Sequence, residues 1–247
     1  MIDTSSAKGK IVTAALRLAE RQGWRDTGLD EIAAEAGMSL AELRREFQSK
    51  GQILAAFTRM VDDAVLAGLK PAEVNASPRD RLFDVIMSRF DAMMPYKGGL
   101  KRIAADLRFA PLEASAQLMP ALKSQYWMLS AAGITAEGVR GTARVKALTA
   151  LYMRVFGIWL EDDDPGMART MAALDRRLRR GEDIARSFEG MCQTAMRFAE
   201  GLRELFTNLG GAEPRPSTDA GPQADANQPP SPGTPPPGTP GAAPSGA

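Results

Sequence analysis

The sequence predicts an all-α protein, and three observations carry that expectation. Ala, Leu, Met, Arg and Glu dominate residues 1–210 while β-branched residues are sparse, a usage that favours helix. No stretch sustains the two-residue alternation of a half-buried strand. Serines, prolines and glycines fall where helices of ordinary length would start and stop.

The elements follow in order. A first helix is expected over Lys8–Gln22, with Ile11, Ala14, Ala15, Leu18 and Ala19 on one face and Gly23 as its stop. A short second helix, Leu29–Glu35, enters through Thr27 or Gly28 and stops at Gly37. Ser39 caps a third, near Leu40–Glu46. Lys50 opens a longer fourth helix to about Leu69, ended by Pro71. Further helices fit Arg79–Met94, Lys97–Leu107, Pro111–Leu129 and Glu137–Leu160. Asp164-Pro165 reads as an N-cap with proline at the first helical position, so a helix should run from there to Arg180. A last helix spans about Glu182–Leu209.

The chain has 247 residues, with Lys+Arg 31 against Asp+Glu 30, so a whole-chain polyanion binder is not indicated. The absence of histidine excludes His-based triads, general bases and metal ligands. The single Cys192 excludes an intramolecular disulfide and a paired-cysteine metal site. Asp162 and Asp163 stand together at a helix end, where capping is role enough for them. These features point away from an enzyme, a cofactor or a metal. The N-terminus lacks a secretory pattern and no apolar run reaches the ~20 residues of a membrane span. A cytoplasmic protein with no membrane partner is therefore expected.

Residues 29–47 have the outline of a helix-turn-helix. Ile32, Ala33 and Ala36 are small or apolar at a spacing that lets two helices cross closely. Gly37 suits the left-handed residue between them. Ser39 with Glu42 three residues on forms a capping box. Such a turn sets a recognition helix in a major groove.

Over Ile11–Leu54 the sequence resembles the DNA-binding domain of TetR-family transcriptional regulators. Gly23-Trp24, Thr27, Ile32-Ala33, Ala36-Gly37, Ser39, Leu43, Phe47, Ser49 and Lys50 match that pattern in type and spacing. Arg44 stands where the family often has tyrosine, Glu42 where threonine is common, and Glu46 where an aromatic or histidine precedes Phe47. The resemblance implies that Ser39, Leu40 and Ala41 lie close to base edges and that Arg44 and Arg45 read guanine or grip phosphate. It also implies that Thr27 and Lys50 contact phosphates. Residues 1–62 hold nine Lys/Arg and nine Asp/Glu, so the cations must be gathered on one face for the module to bind DNA well.

The same resemblance implies a helical ligand-binding and dimerisation domain over residues 55–210. Phe90, Met93, Met94, Tyr126, Trp127, Tyr152, Met153, Phe156 and Trp159 are candidates to line its apolar pocket, since methionine adapts to irregular shapes. Within Arg79–Arg180, Met94-Pro95-Tyr96, the Tyr126-Trp127 pair, Ala131-Ala132-Gly133, the run Trp159–Asp163 and MARTMAALDRRLRR form a second resemblance. It is to a TetR-fold lipid-binding family that assists coenzyme Q (ubiquinone) biosynthesis, and it implies an isoprenoid or other lipid as ligand in place of DNA binding.

Ile184, Phe188, Met191, Ala195, Phe198, Leu202, Leu205 and Leu209 repeat at intervals of four and three. The stripe suits a dimer seam, packing on its own domain, or an amphipathic membrane helix. With three Arg against five Asp/Glu over 182–209, protein packing is favoured over an anionic membrane. The expected homodimer seam comprises Met167, Met171, Leu174 and Leu178 with Phe198, Leu202 and Leu205. From Gly211 to Ala247 the chain holds 11 of its 17 prolines and no large apolar residue, the composition of a disordered tail. The whole reading is a helix-turn-helix head over 1–54, a ligand-binding and dimerisation domain over 55–210, and a tail over 211–247. Its expected partners are double-stranded DNA, a second copy of the chain, and a small apolar ligand or lipid.

Overall fold

A computed structural model describes residues 4–69 and 76–183, all within one compact unit, Met1–Thr194. Every regular element among the described residues is helical. They are α1 (Ala7–Gln22), α2 (Leu29–Glu35), α3 (Leu40–Glu46), α4 (Lys50–Ala67), α5 (Pro78–Met93), α6 (Lys97–Leu107), α7 (Pro111–Ala116), α8 (Leu118–Ala131) and α9 (Gly138–Leu160). A single 3₁₀ turn, Met94–Tyr96, joins α5 to α6, and residues 168–183 are helical. The expected last helix, its heptad stripe with Phe198, Leu202 and Leu205, and the tail lie outside the described residues beyond 183.

Local chemistry sets most boundaries. The hydroxyls of Ser6, Ser39, Ser49 and Ser77 accept the backbone amides of Gly9, Glu42, Gln52 and Asp80, satisfying amides that the first helical turn leaves without partners. Gly23 ends α1 at φ +93°, a conformation that an L side chain rarely adopts.

Two expected boundaries are corrected. The helix expected over Pro111–Leu129 is two helices, α7 and α8, meeting at Gln117. Pro120 is the reason: it has no amide to offer and its ring would strike the carbonyl four residues back, so one continuous helix cannot pass through. The helix expected to start at Pro165 starts at 168 and continues past Gly181. The Asp164 carboxylate accepts the amides of Gly166 and Ala168, which holds a turn over 164–167 with Met167 at φ +53°. The neighbouring Asp162 is the deeper cap. It accepts both the amide of Thr170, at 2.8 Å, and its hydroxyl, at 2.7 Å. Burial works against its charge, but the two Thr170 bonds, with the Asp164 amide and the charge of Arg169, together hold the carboxyl below the ordinary aspartate range.

One hydrophobic cluster runs through the described helices. Ile11, Val12, Trp24, Ile32, Leu43 and Ile53 fill the N-terminal end, and Ile86, Phe90, Met128, Trp159 and Leu174 fill the other. Each contributes about 1.5–3 kcal/mol by leaving water. α1 packs on α2, α4 and α6; α4 packs on α5 and α8; α8 packs on α9. The α1–α6 crossing is unusually close. A Cβ on Gly99 would lie 2.4 Å from the carbonyl oxygen of Leu16. Farther along α6, the Asp106 carboxylate accepts the amides of Trp24 at 2.7 Å and Arg25 at 2.9 Å, fixing the corner that follows α1.

Candidate nucleic-acid interface

Three short helices build the head. Ile32 and Ala33 of α2 and Leu43 of α3 are buried, as is Phe47 just after α3, and these residues form the apolar seam on which the two helices cross. Gly37 turns the chain between them at φ +70° with open space around it. Ser39 and Glu42 close a reciprocal cap. The Ser39 amide donates to Glu42 Oε2 at 2.8 Å while the Glu42 amide donates to Ser39 Oγ at 3.2 Å. The Ser39 amide, and then its hydroxyl, hold the Glu42 carboxyl below the ordinary glutamate range. Glu42 thus serves the helix start, in place of the threonine common at that position in the resembling family.

On the outward side of α3, Leu40, Ala41, Arg44 and Arg45 line one shallow hollow of about 480 Å³. Their spacing makes the reason plain: 40 with 44 and 41 with 45 are one turn apart and stand in adjacent rows. Leu40 is 51% exposed, so the face is open. Among the described residues neither Arg44 nor Arg45 makes an ion pair or a side-chain hydrogen bond. Glu46 is turned from this hollow toward α1, with Lys8 Nζ 3.8 Å from its carboxylate. The repulsion that Glu46 would exert on a phosphate is thereby reduced.

Three expected contacts are placed differently. Thr27 is only 2% exposed and its hydroxyl donates to Gly23 O at 2.6 Å, so it locks the turn before α2 and is not presented to a phosphate. Lys50 donates to the carbonyls of Trp24 at 2.7 Å and Thr27 at 2.9 Å, with its ammonium 4.9 Å from the centre of the Trp24 ring. It is a staple that fixes the α1–α2 loop to the start of α4, its charge already engaged. The Ser39 hydroxyl is taken up by its cap and also donates to Glu42 at 2.8 Å.

Four of the expected pocket residues in the larger domain meet as a stacked set of rings. Tyr152 stacks on Phe90, Phe90 on Trp159, and Phe156 on both Tyr152 and Trp159, with ring centres 5.4–6.0 Å apart. Phe90, Met93, Tyr152 and Trp159 are buried core, and Met94, Tyr126 and Phe156 pack partly buried against it. Trp127 and Met153 are more than half exposed. The nine residues therefore divide between a stacked core and an outer surface. A separate hollow of about 420 Å³ lies between α1, the end of α2 and the 3₁₀ turn, lined by Lys10, Arg17, Glu20, Glu35 and Tyr96 among others. Of the expected seam residues among the described ones, Met167, Leu174 and Leu178 are buried within the chain and Met171 is exposed.

Sequence reading missed a polar network inside this core. Arg89 of α5 pairs through Nη1 with Asp62 of α4 and donates from Nε to Tyr152 Oη of α9 at 3.0 Å. Ser124 of α8 donates to the same Asp62 oxygen at 2.7 Å. Burial pushes the Asp62 carboxyl up, against the pull of Arg89 and Ser124. The only signal in the sequence was an arginine and an aspartate at apolar positions of their helices' periods.

Comparison with known proteins supports the reading of the head. The family model for bacterial regulatory proteins of the tetR family matches residues 11–57. A TetR transcriptional regulator from Nitrosomonas europaea is similar to this chain at 23% identity and a TM-score of 0.55, covering 70% of this chain and 96% of that one. A TetR transcriptional regulator from Rhodococcus sp. RHA1 is similar at 21% identity and a TM-score of 0.53, covering 70% and 94%. No curated protein sequence matches. These matches lend no support to the coenzyme Q resemblance. At these identities the structures show the fold, and the family model identifies the head: the chain has the all-helical TetR fold and carries at its N-terminus a helix-turn-helix domain of the tetR family of bacterial regulatory proteins.

Proposed function

We propose that the protein is a transcriptional regulator, acting as a repressor, that binds a pseudo-palindromic DNA site as a homodimer and leaves it when a small ligand occupies the larger domain. The observation that carries this reading is the open α3 face, where Arg44 and Arg45 stand exposed and without an intramolecular ion pair beside Leu40 and Ala41. Buried Leu43 and the Ser39–Glu42 box fix the pitch of that face. Arg44 reads a base edge and Arg45 grips a phosphate. Thr27 and Lys50 act indirectly, by holding the loop that orients α2 and α3. The dimer gives two such heads, and exposed apolar Trp127, Met153 and Met171 are candidates for its seam. A ligand favours one of two arrangements of the heads and so shifts the DNA equilibrium.

Selection from a random duplex pool tests the proposal. The expected product is a site with two inverted half-sites about one helical turn apart. A pool that shows no enrichment, or a single unrepeated half-site, would count against it.

A further inference from the structure

We infer that Leu40 is a specificity-determining residue of α3: its side chain covers the C5-methyl group of a thymine, so each half-site carries a thymine within about two base pairs of the guanine that Arg44 reads. The inference rests on the regulator reading and names the base content of its DNA site. A lone exposed leucine on a surface calls for no explanation. This one stands apart. At 51% exposed it is the one large apolar side chain of residues 4–47 left so open, where Ile11, Trp24, Ile32, Leu43 and Phe47 are buried. It lines the α3 hollow together with Ala41 and with Arg44 and Arg45, two guanidiniums that make no ion pair or side-chain hydrogen bond among the described residues. An apolar surface set between two open cations fits a surface that offers a methyl group beside acceptors and negative charge, and a thymine edge in a duplex groove is such a surface.

The rest of the helix narrows the bases within its chemistry. Its sequence is LAELRRE. It holds no asparagine or glutamine, the side chains that pair with adenine at two atoms. A carboxylate could accept from the cytosine amine. The Glu42 carboxylate, however, already accepts the Ser39 amide and hydroxyl, each at 2.8 Å, and that of Glu46 faces Lys8. What remains outward is a pair of arginines, suited to guanine or phosphate, and an apolar pair, suited to the thymine methyl. Set against the cytosine amine, Leu40 would strip water from a donor and return no hydrogen bond. Set against thymine, it covers a methyl group. Its place agrees: Leu40 is the first residue of α3, directly after the Ser39 cap, at the end of a recognition helix that reaches base edges. The four residues from Leu40 to Arg44 rise about 6 Å along the helix. Bases on one strand are about 3.4 Å apart, so the two side chains read positions no more than about two base pairs apart.

The test uses the full chain and the duplex selected from the random pool, with binding followed by fluorescence anisotropy at constant salt. Each thymine is replaced in turn by deoxyuridine, in both half-sites together. The exchange removes the C5-methyl group and leaves every hydrogen-bonding group in place. At one position it should weaken binding about fifteenfold, about fourfold for each methyl left uncovered. Leu40→Ala should bring that loss below twofold while discrimination at the guanine is kept. Should Leu40→Ala not fold, Leu40→Gln gives the same comparison. The inference is overturned by a loss below twofold at every thymine, by a thymine–deoxyuridine difference that survives both substitutions, or by a selected half-site with no thymine within two base pairs of a guanine. The same titrations separate the two readings. Specific duplex binding with no methyl effect sinks the role of Leu40 alone and leaves the regulator reading standing. A chain that binds no duplex even at low salt removes both.

Discussion

Replacing Gly99 by alanine should loosen the head from α6, and the size of the effect can be worked from the crossing itself. The new Cβ would stand 2.4 Å from Leu16 O and 3.1 Å from Leu16 C, where ordinary contact begins at 3.4 Å. The oxygen must therefore retreat by 1.0 Å (3.4 less 2.4), and because it belongs to the α1 backbone no rotamer can do this. Overpacking of this kind costs about 1–3 kcal/mol, and a backbone clash sits at the upper end. Alanine in a helix returns ~1 kcal/mol of propensity, leaving a net loss of about 2 kcal/mol. For a chain of this size that lowers the melting temperature by about 4–8 °C. Two other glycines act as internal controls. Gly157, exposed in α9, has nothing within 4 Å of a built Cβ, so Gly157→Ala should gain ~1 kcal/mol and raise the midpoint by about 2–4 °C. Gly98→Ala meets first the movable side chain of Glu20 and should fall between them. Scanning calorimetry reads all three. A Gly99→Ala protein as stable as Gly157→Ala would refute the close crossing.

Asp106→Ala removes the acceptor for two backbone amides, Trp24 and Arg25. In urea unfolding it should cost about 1–2 kcal/mol, at the lower end for charged hydrogen bonds because Asp106 is partly exposed; a loss below the resolution of the titration would show that the corner holds itself. Asp162 should show in the pH dependence of stability. Its carboxyl titrates below the ordinary aspartate value of 3.8 when folded, so its contribution is present above that pH and is lost as pH falls below it through the folded value. The stability difference between the unaltered chain and Asp162→Asn should accordingly be flat near neutrality and shrink on acidification, and in that difference the opposite tendency of Asp62 cancels. A difference that grows in acid would reverse the assignment. In the core, Ile86→Ala should cost about 2–5 kcal/mol in the same unfolding assay, since Ile86 is wholly buried; a loss under 1 kcal/mol would mean that the site collapses freely.

Much of the head was legible because its signals are local. The bounds of α2 and α3 follow from Gly28, Gly37, Ser39 and Glu42, all within a few residues of the helix ends they define. The family model over residues 11–57 agrees with the resemblance read from the same residues. What escaped is made at long range. Lys50 finds its acceptors in Trp24 and Thr27, and nothing in its own neighbourhood distinguishes a lysine that staples carbonyls from one that grips phosphate. Arg89 and Asp62 are 27 positions apart, and Arg89 and Tyr152 are 63 apart. The aromatic and methionine residues stand out in the sequence as an apolar set, but composition does not say how they divide between stacked core and outer surface. Pro120 and the Asp164 turn were visible, but each permits more than one backbone path until packing chooses.

In the proposed function, the outward face of α3 is the surface that meets DNA. Fluorescence anisotropy of a labelled selected duplex, titrated across a range of salt, tests it most directly for the unaltered chain, Arg44→Ala and Arg45→Ala. The unaltered chain should bind with an affinity that falls steeply with salt. Arg45→Ala removes one phosphate contact from each of the two heads, so it should lower the log–log slope by about 1.8 and weaken specific and non-specific duplexes alike. Arg44→Ala should leave the slope nearly unchanged and cost roughly 1–3 kcal/mol of discrimination at one base position in each half-site. No binding at low salt, or binding whose slope and sequence preference both survive the two substitutions, would contradict the claim.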